Sequence, residues 1–260
     1  MKVKYWVEPN KYLITVVQLL FPVAVYLAVA SSAEWYWWAV SFVFYFLYCA
    51  VGNNLAMHRY FCHRQFELSR PMELFFLWCS TMSTLGSPLS YAIPHLIHHK
   101  NPDSDVDPHG PSAGIKSILY CFHRHLPVNE KTIISKRIAE LVRKYCWLHR
   151  NYWYIVLAQV VVMWLIDYKV MLFCWLLPAS FTLWAVSIAI YLQHWPKGSA
   201  SNNKLYGWYG WGEGLHLNHH LMPGTSNTAI NPGEFDYTHW LAKLFAKKFY
   251  EPQTPGHSNQ

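Results

Sequence analysis

Long apolar runs separated by short polar gaps set the character of this chain. Four of them stand out, at 12–30, 35–52, 152–166 and 170–192. A helix that crosses a bilayer needs about 20 predominantly apolar residues. Three of the runs approach or exceed that length, whereas the one at 152–166 is short and needs its flanking aromatics to reach both interfaces. A weaker run at 72–89 is broken by Ser80, Thr81, Ser83, Thr84 and Gly86. It reads as a segment embedded beside the others, because a crossing here would separate two histidine clusters that belong together.

The polar stretches are patterned too. Ile134, Ile138, Leu141, Tyr145 and Leu148 recur at spacings of four and three, with Lys136, Arg137, Arg143, Lys144 and Arg150 between them. That is the period of an amphipathic helix. It suits a basic helix among lipid headgroups and, equally, a solvated helix packed on a cytoplasmic cap. No internal repeat or low-complexity tract is present, so one domain over 1–260 is expected, ending in a frayed Pro-rich tail.

Composition sharpens the membrane reading. Charged residues make up 13% of the chain and apolar ones 53%, against about 25% charged in soluble domains. Of the 21 Lys and Arg residues, only Lys169 falls in the polar gaps at 31–34 and 167–169. Positive residues stay on the cytoplasmic side. The expectation is therefore an all-α integral membrane protein with four transmembrane helices in two hairpins. Both termini and a helical cap, 53–151 and 193–260, would be cytoplasmic. The net charge of +7 then reflects topology and anionic headgroups, and no nucleic-acid partner is expected. Lys2 and Lys4 precede an apolar core ending in Ala28-Val29-Ala30, as in a cleaved leader, but Glu8, Pro9 and Asn10 favour a retained first span. The six cysteines form no CxxC pair, which fits a reduced setting and no metal–thiolate site.

The chemistry lies in histidine. Eight of the fifteen form three clusters: His58 and His63 in HRYFCHR; His95, His98 and His99 in HLIHHKNPDSDVDPH, whose last residue, His109, is placed to cap or orient that box; and His216, His219 and His220 in GWGEGLHLNHH. Positions i, i+3 and i+4 share one face of a helix, so each triplet is expected to converge on a compact site. His58 and His63 are five apart, about 140° around an α-helix, and are expected to reach different ions. His194, where the fourth run ends, is a ninth candidate. Eight or nine imidazoles exceed what one ion takes and suit two. Imidazole accepts zinc, copper, iron and nickel alike. Redox chemistry with dioxygen on an apolar substrate is the best use of two such ions at a membrane. Glu213, Asn218, Asp103 and Asp107 flank the clusters and are placed to orient imidazole N–H groups, or else to cap turns.

These three stretches resemble the histidine boxes of the membrane fatty acyl desaturases, the stearoyl-CoA desaturase-like group with Δ9 selectivity. The likeness holds in order, spacing and flanking residues. It implies two irons held by His58, His63, His95, His98, His99, His194, His216, His219 and His220. It also implies dioxygen-dependent removal of two hydrogens from a saturated acyl chain to leave a cis double bond. Zinc in purified protein would be an artefact. Electrons would come from an external ferredoxin or b-type cytochrome, since neither a CxxC set nor a haem motif is present. Three departures are visible. Pro94 and Leu96 flank His95 where acyl-CoA members carry charges, which turns attention to acyl-lipid or acyl-carrier-protein substrates alongside acyl-CoA. Ile190 stands where the family often has an Asn, with Gln193 the nearest polar residue. The interval from His194 to His216 is short. A hydroxylase or ketolase on the same scaffold is the alternative enzyme reading. A metal-binding or transport protein is the alternative outside enzymes, although the spans offer few polar residues beyond Gln18 and Gln159 for a path.

Overall fold

The structure, a computed structural model, describes residues 10–105, 107–108, 111–122, 135–195 and 200–250. Helices dominate them, and the one sheet is a short antiparallel ladder of β1 (Phe66–Glu67) and β2 (Lys248–Phe249).

The first apolar run forms α1 (Asn10–Leu19) and α2 (Phe21–Ala30). Pro22 sits in the first turn of α2, where a missing N–H costs little. One side of this rod buries Ile14, Val17, Ala24 and Ala28, while Val16, Leu19, Val23, Tyr26 and Val29 are exposed. An apolar outer face of that kind is what lipid contact requires. The buried Gln18 does not open a polar path. Its side chain donates to the Ile118 carbonyl and accepts from the Tyr120 N–H, at 2.8 and 3.1 Å. Gln159 is likewise used, accepting from the Trp78 indole at 2.9 Å.

The second run forms α3 (Trp35–Phe46), which continues without a break into a long π-type helix, Leu47–Cys62. Such i→i+5 winding is rare and collects at functional sites. The fourth run enters through Tyr168–Met171 and a π turn at Leu172–Leu176, then becomes α7 (Leu177–Gln193). Among the described residues three helices are long and apolar enough to cross a membrane: Lys11–Ala30, Trp35–Cys62 and Tyr168–Gln193.

The run at 152–166 differs from expectation. It is the second half of a 31-residue helix, α6 (Lys136–Ile166), whose first half carries the basic amphipathic pattern. No Gly or Pro interrupts this sequence, so nothing forces the two segments apart. Ile138, Leu141 and Tyr145 are buried against the protein, with Arg143, Lys144 and Arg150 turned outward. Packing on the protein is thus what this helix does, and Ile134 lies outside the described residues. Arg137 fastens it by donating to the Tyr60 and Phe61 carbonyls at 2.5 and 2.7 Å, where the π-type helix runs out of partners.

The weak run at 72–89 is two elements, not one. α4 (Arg70–Met82) starts at Ser69, whose hydroxyl accepts from the Met72 N–H, and α5 (Pro88–Lys100) starts at a reciprocal Ser87–Ser90 capping box. α4 lies so close to the π-type helix that a Cβ on Gly52 would sit 2.7 Å from the Cys79 carbonyl oxygen. Three short helices follow α7: α8 (Lys204–Tyr209), α9 (His216–Leu221) and α10 (Tyr237–Ala242).

Candidate metal centre

The nine histidines come from four places. His58 lies on the π-type helix and His63 just beyond it; His95, His98 and His99 occupy the end of α5; His194 follows α7; His216, His219 and His220 lie on α9. Their ring nitrogens gather into two groups. One holds His58, His63, His95, His99 and His219, the other His98, His194, His216 and His220.

Two expectations need correction. Neither triplet serves a single group. His95 and His99, four apart, stay together while His98 joins the other group; His216 and His220 stay together while His219 leaves. Positions i+3 and i+4 lie about 100° apart on a helix, enough to aim neighbours at two points. Both α5 and α9 therefore feed both groups, which ties the two at close range. Secondly, His58 and His63 share a group. The His63 N–H bonds to the His58 carbonyl at 3.2 Å, an i→i+5 contact. The wider π turn brings residues five apart onto one side, where an α turn would separate them.

The nitrogens are unusually close. In the first group Nε2 of His219 lies 2.8 Å from that of His58 and 3.0 Å from that of His99. His95 Nε2 is 2.9 Å from His63 and 3.0 Å from His99. In the second, His216 Nε2 is 2.8 Å from His194 and 3.0 Å from His220, and His98 is 3.1 Å from His220.

Carboxylates stand behind three of the rings. His58 Nδ1 faces Glu213 at 3.1 Å, His98 Nδ1 faces Asp107 at 2.8 Å, and His194 Nδ1 faces Asp103 at 3.2 Å. Each carboxylate accepts the Nδ1–H, which leaves the Nε2 lone pair aimed at the group centre. Burial, followed by the neighbouring imidazoles, holds His63, His95, His216 and His219 well below the usual histidine range and pushes His220 down to about 3. Neutral rings with converging lone pairs repel one another unless an electrophile lies between them.

The spacing indicates which kind of ion fits. A metal–imidazole bond of about 2.0–2.1 Å gives an N···N edge of about 2.9 Å at 90° and about 3.4 Å at the tetrahedral angle. The observed 2.8–3.1 Å matches the right-angled edge. Five converging imidazoles also exceed the four ligands of a structural zinc site. The donor set thus suits two ions of octahedral preference.

Two residues that sequence reasoning missed support the first group. Arg59, almost wholly buried, donates through Nε to Glu213 at 2.9 Å and through both terminal nitrogens to Asp236 at 3.0 and 3.1 Å. Burial opposes ionisation of Glu213, but Arg59 and then His58 outweigh it and hold the carboxyl well below its usual range. Asp236 also accepts from the Thr228 N–H and hydroxyl at 2.8 and 2.7 Å. A charge set beside the apolar run that ends near His58 was the available signal for Arg59. Asp236 offered none beyond its place before a short helix.

Other assignments shift. Asn218 does not touch an imidazole. Its amide donates to the Thr228 carbonyl at 2.9 Å and to Glu234 at 2.8 Å, which braces the loop after α9. His149 is buried, with Nδ1 2.7 Å from the Ser87 hydroxyl. The glycine-rich segment before α9 packs on protein rather than on the centre. Gly212, at φ +113°, lies where a Cβ would meet the Thr238 hydroxyl at 2.5 Å. His109, His123, His125 and His257 lie outside the described residues.

A small cavity of ≈ 40 Å³ adjoins both histidine groups, with Asn53, Tyr91, Val186, Ile190 and Tyr206 among its lining residues.

Comparison with known proteins gives one consistent result. The family described as fatty acid desaturase matches residues 33–233. The chain is 24% identical over 218 residues to Delta-9 acyl-lipid desaturase 1 of Arabidopsis thaliana, covering 75% of this chain and 67% of that protein. It is 26% identical over 243 residues to sn-1 stearoyl-lipid 9-desaturase of Anabaena variabilis, with 84% and 83% covered. It is also 26% identical over 239 residues to Acyl-CoA C20 Delta5-desaturase of Anemone leveillei, with 82% and 72% covered.

Proposed function

This chain belongs to the fatty acid desaturase family, as a membrane oxidoreductase acting on fatty acyl chains, and from that premise we propose that it is a dioxygen-dependent diiron desaturase forming a cis double bond, at Δ9, in an acyl-lipid. The observation that carries the proposal is the pair of histidine groups with edges of 2.8–3.1 Å and carboxylates behind three rings.

His58, His63, His95, His99 and His219 hold one iron, and His98, His194, His216 and His220 the other. When bound, the iron pair supplies from dioxygen the oxidising power needed to take two hydrogens from unactivated methylenes, which no side-chain acid or base can do. The chain's own part is orientation and exclusion. Glu213, Asp107 and Asp103 fix ring orientation through Nδ1, as outer carboxylates do at metal sites. Arg59 and Asp236 hold Glu213 in place. Val186 and Ile190 set apolar surface beside the centre, the kind of wall that the methylenes of an acyl chain would meet. The balance requires two electrons and two protons besides dioxygen, with water as the other product. A ferredoxin or b-type cytochrome docking on the basic cytoplasmic side supplies the electrons.

An acyl-lipid is favoured over acyl-CoA because Pro94 and Leu96 flank His95 with no charge to meet a large anionic carrier. Δ9 selectivity is supported by two of the relatives, whose names specify that position. The topology follows from charge: four crossings, both termini and the centre cytoplasmic, one domain over 1–260. The exposed apolar face of α6 at Tyr154, Leu157, Val162, Leu165 and Ile166 supports its second half as the fourth crossing.

The test is the fatty-acid profile of a host membrane expressing the chain, with double bonds located by mass spectrometry, beside His219→Ala. A new monoene made only by the intact chain, with its bond at carbon 9, is the expected result. A hydroxylated chain instead would move the activity to oxygen insertion. No new product, with iron bound and a donor supplied, would overturn the proposal.

A further inference from the structure

The two histidine groups are unequal, five donors against four, and the structure contains a polar atom with no evident task beside them. Asn53 is 4% exposed, and its Oδ1 is buried with no hydrogen-bond partner. A buried carbonyl left in that state costs about 1–3 kcal/mol, so it calls for a partner the protein alone does not provide.

Its orientation is settled by its neighbours. Asn54 Nδ2 donates to the Gly210 carbonyl at 2.6 Å and to the Trp211 carbonyl at 3.2 Å. Carbonyls only accept, so that atom of Asn54 is the nitrogen and the other is the oxygen. Asn53 Nδ2 then donates to Asn54 Oδ1 at 2.8 Å. The remaining atom of Asn53 is therefore the acceptor, and rotating the amide would set two oxygens against each other. Asn53 also lies five residues before His58 on the same π-type helix, as His58 lies five before His63. That winding places Asn53 along the line of the ligands, and it lines the cavity with His58 and His95 of the five-donor group and His98 and His216 of the four-donor group; only the smaller set leaves two positions of a six-coordinate ion to be filled. The cavity's ≈ 40 Å³ exceeds the roughly 10–15 Å³ that one water needs. Tyr206 and Glu213 also line it and add polar surface.

We propose that Asn53 is a positioning residue whose Oδ1 accepts a hydrogen bond from a water held against the ion of the four-histidine group, filling one of the positions its smaller donor set leaves open. The inference rests on the two-ion reading above. On α7, Ile190 faces the same cavity and offers no polar atom, while Gln193 commits its amide N–H to the Glu213 carbonyl at 2.5 Å, so the acceptor left without a partner is Asn53 Oδ1. Water is the fitting occupant because it can donate to Oδ1 while presenting a lone pair to the ion.

The test uses the intact iron-loaded protein in detergent. Iron per chain is measured first, then the near-infrared magnetic circular dichroism of the diferrous state, whose ligand-field bands report coordination number. Asn53→Leu should keep two irons while the bands of one ion move to lower coordination. Asn53→Asp, which keeps an acceptor oxygen, should leave both sets as in the wild type. Unchanged bands in Asn53→Leu with two irons bound would overturn the inference and leave the two-ion reading intact. A wild type that binds no iron pair would overturn both. If Asn53→Leu does not accumulate, pulsed electron–nuclear resonance on wild type in deuterated water decides: exchangeable deuterons within the reach of one ion are expected, and their absence overturns the proposal.

Discussion

At the scale of single residues, the support behind the histidines carries as much consequence as the histidines themselves. Arg59 is 1% exposed, and its buried charge is balanced by Glu213 and Asp236. Removing one partner of a buried ion pair costs roughly 3–5 kcal/mol. Asp236→Ala is therefore expected to lower the unfolding free energy by about that amount, measured by thermal unfolding in detergent. A loss below about 1 kcal/mol would mean that water replaces the lost carboxylate. Asp107→Asn tests the other group, because one carboxylate oxygen accepts from both His98 Nδ1 and the Asp103 N–H, and a neutral amide oxygen in its place lacks the charge that holds the ring. A 10–100-fold loss in iron affinity is expected, read by competition with a chelator, and unchanged affinity would count against the brace. The nine histidines and three of the carboxylates were legible in the sequence because they cluster locally around recurrent spacings. Asp236 was not, since its partner Arg59 is far away in the chain and only folding brings them together. Asn218 misled for the opposite reason: adjacency to His219 placed it near the centre, while its amide turns to the loop after α9.

At the scale of elements, the apolar runs were legible and their winding was not. An α-helix and a π-type helix can have the same apolar composition, so a five-residue spacing read with an α period sends His58 and His63 apart. The π-type winding of Leu47–Cys62 makes them neighbours, and it depends on what packs beside it. Gly52 permits that packing, since α4's Cys79 carbonyl lies where its Cβ would be. Gly52→Ala must move one backbone against another, and overpacking of this kind costs typically 1–3 kcal/mol. The expected outcome is that loss in thermal stability together with reduced iron per chain, because the displaced helix carries His58. Normal iron content at lowered stability would show that the π turns tolerate the shift. The amphipathic stretch and the third apolar run were legible as patterns but not as one helix, because polarity changes at Tyr152 without any helix breaker to mark the join.

At the scale of the whole molecule, the distribution of charge and exposed apolar surface must be reconciled with a bilayer. The polar gaps at 31–34 and 167–169 come together, with Lys169 Nζ 3.4 Å from the Glu34 carboxylate. That contact brings the two gaps together at one end. If the apolar faces of α1, α2 and the second half of α6 all meet lipid, this end is the non-cytoplasmic one by the charge rule. Impermeant thiol reagents test the arrangement in intact cells. Ser32→Cys, in the exposed first turn, is expected to react from outside. Asn227→Cys, exposed in the loop after α9, is expected to react only once the membrane is opened. The half-exposed Cys121 and Cys146 lie on the protected side in this arrangement and add little background. Labelling of both engineered sites from outside would rule out four crossings. It would put the second half of α6 in the interface rather than across the membrane, and place the two ends of the chain on opposite faces.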